Sequence, residues 1–180
     1  MTPGGLDHAI PAGVTDAADA RPATLTAPAE GSDVFARTLR VAEDDLDEQA
    51  HVNNVVYVRW VQDTATAHWI ALTTPEDRAQ VGWVATRHEI DYLAPAVLGD
   101  EVLVRTRVGH AKGLIFERHT DVRRVGDDRL LARSRTLWCP VDPSTGRPRR
   151  VPPHLRALFS IGGAPAAGTP EGSRGDASTD

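Results

Sequence analysis

Asp45-Leu46-Asp47-Glu48-Gln49-Ala50-His51-Val52-Asn53-Asn54-Val55-Val56-Tyr57 runs without a break into Val58-Arg59-Trp60-Val61-Gln62-Asp63-Thr64-Ala65-Thr66-Ala67-His68-Trp69-Ile70-Ala71-Leu72, and this stretch decides the fold. From 54 to 72, Tyr57, Trp60, Val61, Thr64, Ala65 and His68 fall on one helical face, while Arg59, Gln62, Asp63 and Thr66 lie largely opposite. Asn53 is a natural N-cap, since its side-chain oxygen can accept from a first-turn amide, and Thr73-Thr74-Pro75 stops the helix. One long helix is therefore predicted, entered through an acidic segment.

Working outward, residues 34–41 alternate apolar and polar positions and read as a first strand, ending at Glu43, Asp44 and Asp45. After a second short helical stretch around 75–80, the period changes to two. Strands are predicted over 84–93, before the turn Ala94-Pro95; over 101–108, before a turn at 109–113; over 114–125, before Gly126-Asp127-Asp128; and over 129–141. Their adjacency and short turns predict an antiparallel meander. Residues 142–146 make a further turn, and 153–159 reads as a short terminal helix with proline near its start. One strand, one long helix and four strands make an α+β pattern in which a single helix covers one face of a curved sheet. A lone helix covers only part of such a sheet, so leftover apolar surface favours self-association.

The 180 residues suit one domain with a buried core. Residues 1–32 and 162–180, rich in Ala, Pro, Gly and polar residues without period, are expected to be disordered arms around a folded unit of 33–161. A formal net charge of -5 gives no reason to seek nucleic acid or an anionic membrane. No segment approaches the roughly 20 apolar residues of a membrane span, and the first thirty residues lack a basic stretch followed by an apolar run. Cys139 is the sole cysteine, which excludes an intrachain disulfide and a four-cysteine zinc site. A cytoplasmic protein is expected, with neither membrane nor nucleic acid as partner.

The segment 45–57 sets ionisable groups just ahead of a helix start, where the first backbone N–H groups have no intrahelical partner and the dipole favours negative charge. Thioester hydrolysis needs a nucleophile or base at the carbonyl carbon and donors for the oxygen that becomes negative. A carboxylate beside free amides supplies both. Acidic residues before a helix also serve simply as caps, and the residues alone leave both readings open.

The pattern Asp45-Leu46-Asp47, then His51, then Val52-Asn53-Asn54 with Tyr57 three residues on, resembles the motif of hot-dog thioesterases. The bacterial long-chain acyl-CoA thioesterases, 4-hydroxybenzoyl-CoA thioesterase and plant acyl-ACP thioesterases carry it. The likeness extends through Ile90-Asp91-Tyr92-Leu93-Ala94-Pro95-Ala96-Val97-Leu98-Gly99-Asp100, and through Thr145-Gly146-Arg147-Pro148 with Val151-Pro152, so it spans nearly all of 33–161. The resemblance implies a hot-dog fold, one long central helix wrapped by a five- or six-stranded antiparallel sheet. It also implies an acyl-CoA thioesterase in which Asp47 is nucleophile or general base and the thioester oxygen meets the backbone amide of Asn54.

His51 matches the plant enzymes' catalytic histidine, against a reading in which it packs at the helix start. Gln49 stands where those enzymes carry Asn, and Ala96 and Val97 stand near their further catalytic acid or cysteine, which favours the simpler bacterial arrangement centred on Asp47. Tyr57 and Trp60 read first as core, but core and pocket lining meet in this fold, and Tyr57 is kept as a candidate substrate contact. Arg147, Arg149 and Arg150 form the densest basic group, suited to CoA phosphates or to a solvated turn.

No cofactor is expected. No metal is expected either, because the acidic cluster lacks the glycine and later ligands of a calcium loop, and neither a zinc-protease helix nor a Gly-x-Ser-x-Gly elbow is present. The expected partners are an acyl-CoA or acyl-ACP substrate and further copies of the chain, as homodimer or homotetramer. Two alternatives stand beside acyl-CoA hydrolysis: release of an acid from acyl carrier protein, and a non-catalytic acyl-CoA-binding module. The dehydratase branch is disfavoured by the absence of its His-Phe-Pro segment.

Overall fold

The computed structural model describes residues 24–26 and 34–158. Helix α1 (Asn54–Leu72) buries Val56, Tyr57, Trp60, Val61, Thr64, Ala65 and His68, and leaves Arg59, Gln62, Asp63 and Thr66 exposed. The face predicted from helical spacing is thus the face that packs. Asn53 caps it through its side-chain oxygen, which accepts from the Val55 amide at 3.0 Å. A one-turn 3-10 helix (Glu43–Asp45) precedes it, and α2 (Pro75–Gln80) follows, opened by Thr74 and Asp77, each accepting from the other's backbone amide.

The sheet has six strands: β1 (Thr24–Thr26), β2 (Val34–Arg40), β3 (Gly82–Tyr92), β4 (Glu101–Lys112), β5 (Ile115–Arg124) and β6 (Leu130–Val141), with α3 (Pro153–Leu158) after them. Every pair is antiparallel and the order is β1-β2-β4-β5-β6-β3. This is the hot-dog arrangement, with one long helix laid across one face.

Three expectations are corrected. Thr24–Thr26, inside the arm expected to be disordered, is a strand paired with β2; the rest of that arm and the 162–180 tail lie outside the described residues. β4 runs on through an irregularity after Val108 to Lys112, and turns at Gly113, whose φ of +64° a side chain would strain. The meander holds for β4, β5 and β6, but β3 pairs with β6 and β2 takes its place beside β4. The physical reason is the connection 93–100. It crosses the start of α1, burying Ala96 completely, and delivers the chain to the opposite side of the sheet.

Beneath α1 the inner face changes character along the helix. Around its first half, Val41, Val52, Tyr57, Trp60, Ala96, Val102, Val104, Val122, Leu131 and Ala132 form an apolar cluster. Next comes a buried polar layer of Thr64, His68, Thr106, Arg118, Thr120, Ser134 and Thr136. Beyond it, Val81, Phe116, Val151 and Leu155 make a second cluster, with Trp69, Trp83 and Trp138 against it. The outer face is charged instead. Arg105 and Arg123 meet Asp121, Arg133 meets Asp91, and Arg135 bridges Glu89 and Glu117. Among the described residues no helix is long and apolar enough to cross a membrane.

Asp45 ties the 3-10 turn to α1. It is fully buried, accepts from the Ala42 amide at 3.0 Å and pairs with Arg59 at 2.6 Å. Removing it strands a buried amide and breaks the pair, although Arg59 is half exposed and water compensates part of its loss. Asp45→Ala is expected to lower the unfolding free energy by about 2–3 kcal/mol, and Ala at exposed Glu43 by under about 0.5 kcal/mol. Urea unfolding curves of the two variants measure this difference; equal midpoints would remove the structural role of Asp45.

Candidate active site

The two acids of the Asp45-Leu46-Asp47 segment have different tasks. Asp45 is engaged structurally, its carbonyl also accepting from the Asn53 amide at 2.9 Å. Asp47 is half-buried and folds the loop 47–51 around itself. Its amide donates to the His51 carbonyl at 2.7 Å, and its carbonyl accepts from Ala50 at 3.0 Å. Its Oδ1 accepts from the amides of Gln49 at 2.8 Å and His51 at 3.2 Å. These bonds hold Ala50 at φ +58°, a conformation that non-glycine residues rarely adopt. Among the described residues nothing bonds Oδ2.

The first turn of α1 has one unused donor. The Asn53 amide is taken by Asp45, the Val55 amide by the Asn53 side chain, and the Val56 amide by the Asn53 carbonyl at 2.9 Å. Among the described residues no acceptor faces the Asn54 amide. The Asn54 carbonyl accepts from the Tyr92 hydroxyl at 3.2 Å. Asp47 and Asn54 therefore leave one free acceptor and one free donor at the start of the same helix, with the dipole's positive end behind them.

The connection 93–100 buttresses this corner. Its Ala96 carbonyl accepts from Val52 at 2.9 Å, and its Ala96 amide donates to the Tyr57 hydroxyl at 3.0 Å. Val97 makes a β-bridge to His51. Arg124 braces the far side, donating to Asp100 at 2.9 Å and to the Pro95 carbonyl at 2.9 Å, while Asp100 accepts from the Val97 amide at 3.1 Å. Burial pushes the Tyr57 and Tyr92 phenols up from their ordinary value, so both are neutral. In the sequence Ala96 stands out only beside Val97, as a position without the plant enzymes' further acid or cysteine, and Tyr92 only within the likeness of 90–100; no sequence signal points to Arg124.

The structure distributes the remaining candidates. Tyr57 is 2% exposed and lies in the core, edge-on to Trp60 and Tyr92. His51 is half-buried and touches Asp47 through its backbone amide. Arg149 links the turn after β6 to α2, donating to the Gln80 carbonyl at 2.7 Å and to Asp142 at 3.4 Å. Arg147 and Arg150 are exposed, with no ion pair among the described residues. Around the corner, Val55, Val58, Leu93, Val97 and Leu98 expose apolar side chains, Val55 to 72%.

Two cavities lie elsewhere. One of about 760 Å³ sits among the charged residues of the outer face, and one of about 890 Å³ lies beside the C-terminal half of α1. Asp47 and Asn54 line neither.

No curated protein sequence matches the chain. Solved structures of similar fold include the 1,4-dihydroxy-2-naphthoyl-CoA thioesterase of Synechocystis, 17% identical with a TM-score of 0.63, the match covering 70% of this chain and 95% of that one. A thioesterase from Thermus thermophilus, complexed with coenzyme A and Zn, is 25% identical with a TM-score of 0.65, covering 77% and 100%. A mutant 4-hydroxybenzoyl-CoA thioesterase complexed with 4-hydroxybenzoyl-CoA is 18% identical with a TM-score of 0.65, covering 72% and 100%. The family model of the thioesterase-like superfamily matches residues 41–159, from just before the Asp45–Asp47 segment to the end of the folded unit. The chain therefore belongs to the thioesterase-like superfamily and is a hot-dog thioester hydrolase.

Proposed function

We propose that the chain hydrolyses an acyl-CoA to the free acid and CoA, with Asp47 as nucleophile or general base and the thioester oxygen at the Asn54 amide. The observation that carries this reading is the pairing of a free carboxylate oxygen on Asp47 with the single unengaged amide of the first helical turn. A carbonyl oxygen at that amide gains negative charge as its carbon becomes tetrahedral, and the amide and helix dipole stabilise it more in the transition state than in the ground state. As general base, Asp47 takes a proton from water as the hydroxide adds; the C–S bond then breaks and the thiolate takes the proton. As nucleophile, its oxygen adds first, the thiolate leaves, and water cleaves the resulting anhydride. CoA as carrier is supported by the solved relatives bound to coenzyme A and to 4-hydroxybenzoyl-CoA. The acidic net charge and lone cysteine suit a cytoplasmic enzyme.

The cleft is completed by a second copy. β3 is an open edge of eleven residues among the described ones, with Val84 and Tyr92 about two-fifths exposed, and the apolar rim around Val55 and Leu98 adjoins its Tyr92 end. Two such edges paired antiparallel about a two-fold axis bring the Gly82 end of one copy beside the Tyr92 end of the other. Gly82 pairs with Val141, which is bridged to Pro148, so Arg147 and Arg150 of one copy approach the helix start of its partner. CoA phosphates would meet them there, and His51, whose amide binds Asp47, would orient water or substrate.

Asp47→Asn keeps an oxygen for the Gln49 and His51 amides but removes the charge, so kcat is expected to fall by about 10² to 10⁴ with the fold intact. Asn54→Pro removes the free N–H at a position where helices accept proline. Asn53 already has the φ of -61° and ψ of 140° that a following proline favours. A loss of about 10² to 10³ in kcat is expected. Thiol release from CoA and carrier-protein thioesters, alongside circular dichroism, reads both variants, and wild-type turnover in the Asp47→Asn protein would eliminate the mechanism. Light scattering is expected to give a particle of at least two chains; a monomer with full activity would exclude the shared cleft.

A further inference from the structure

The cavity of about 890 Å³ beside the C-terminal half of α1 has a lining that no step above uses. Its walls are aromatic, with Trp69, Trp83, Phe116 and Trp138, and its size suits a small organic ligand. Arg118, from β5, also lines it while only 8% exposed. One guanidinium nitrogen, Nη1, bonds the His68 Nδ1 at 3.0 Å and the Thr106 hydroxyl at 3.2 Å. Among the described residues no carboxylate pairs with Arg118, and no acceptor meets its Nε or Nη2.

Burial without a counter-charge pushes the guanidinium down to about 10, which still leaves it protonated near neutral pH. A second donor is nearby. The indole Nε1 of Trp138 is buried with no hydrogen-bond partner among the described residues. Trp138 pairs with Phe116 and Arg118 with Thr136, so the two donors are diagonal neighbours on the inner face. The acids that reach the lining are engaged elsewhere: Glu117 by Arg135, and Asp142 by Ser144, Thr145 and Arg149. Arg78 also lines the cavity, but its Nη1 is engaged by the Thr73 carbonyl at 2.5 Å. Arg118 is thus the buried positive charge of an aromatic-walled cavity, and with a spare N–H beside it matches an anionic group on an apolar body.

We propose that this cavity binds an apolar molecule carrying a carboxylate, held in fork geometry by Nε and Nη2 of Arg118 with the Trp138 indole N–H as a further donor. The carboxylate has two possible sources: a free acid of the kind the hydrolysis releases, or the distal carboxylate of an acyl chain, in which case the inference rests on the acyl-CoA reading above. Binding a free acid does not require that reading. About 22 Å of helix separates Asn54 from Trp69, so within one copy the cavity is distinct from the Asp47 corner, and an acyl chain would reach it only from the partner's corner, which the proposed edge pairing brings beside the Gly82 end of the cavity.

Calorimetric titration of the full chain with 4-phenylbutyrate and with its neutral amide tests the first source. The acid is expected to bind at least about tenfold more tightly than the amide, which corresponds to one charge-assisted pair. Arg118→Met is expected to bring the two within about threefold, and Trp138→Phe, which keeps the ring and loses the N–H, to weaken the acid severalfold. Where Arg118→Met fails to fold, the wild-type acid-to-amide ratio and the Trp138→Phe variant carry the test. An Asp47→Asn protein is expected to bind as wild type does, which separates failure of this site from failure of the hydrolytic reading.

The second source is read by kcat/KM for adipoyl-CoA against hexanoyl-CoA. Arg118 dependence in the binding arm alone assigns the free acid, and in the kinetic arm alone assigns the acyl chain. Equal affinity for acid and amide together with equal kcat/KM for the two thioesters, or preferences unmoved by loss of Arg118, would overturn the proposal.

Discussion

The Ala96 amide donates to the Tyr57 hydroxyl inside the core, and the geometry of the Asp47–Asn54 corner depends on that bond. Ala96 is fully buried in a connection rather than a strand, so its amide has no ladder partner and would be costly to leave unpaired. Tyr57 supplies the acceptor from the buried face of α1, and the Ala96 carbonyl in turn fixes Val52, one residue before the cap. The crossover of the sheet, the start of the helix and the Asp47 loop are held to one another through this residue. A phenylalanine at 57 would fill the same space and still leave the amide orphaned.

The two halves of α1 solve different packing problems. Its first half meets Val102, Val104 and Val122 in an apolar cluster, which fixes the N-terminal end of the helix. Its second half crosses a layer of hydroxyls around His68 and Arg118 before reaching the tryptophans. His68 stacks on Phe35 at 5.0 Å while its Nδ1 faces Arg118, so one ring serves apolar packing and charge solvation together. Such a layer stabilises less than an apolar one of the same volume, and its arginine is held without an acid among the described residues. A cost of that kind persists most readily where the charge has a use.

Residues whose role is local were legible in the sequence. The helical face, the Asn53 cap and the α2 start follow from spacing and side-chain chemistry within one turn, and all appear as read. The Asp47 segment was legible as a motif, though spacing did not reveal that Asp45 is consumed by Arg59 while Asp47 keeps a free oxygen. The pairing of β3 with β6 was not legible. Sequential strands usually neighbour one another, and what overrides that preference here is the burial of Ala96 under Tyr57, a contact between residues 39 positions apart. The aromatic cavity was hidden for the same reason, since its lining comes from α1, α2 and four strands.

For the proposed pairing of two copies, the distribution of charge favours one attachment surface. Ion pairs cover the outer face of the sheet from β4 to β3, and an apolar partner there would have to desolvate them. On the other edge, β1 covers part of β2. Among the described residues, the open backbone of β3 and the apolar side chains around the start of α1 form a continuous uncharged margin. In the proposed dimer, covering that margin would withdraw water from the surroundings of Asp47 and Asn54, strengthening the electrostatic effect of a carboxylate and an amide on a reacting carbonyl. On the proposed reading, association and catalysis therefore draw on the same surface, and a substitution that weakens one is expected to weaken the other.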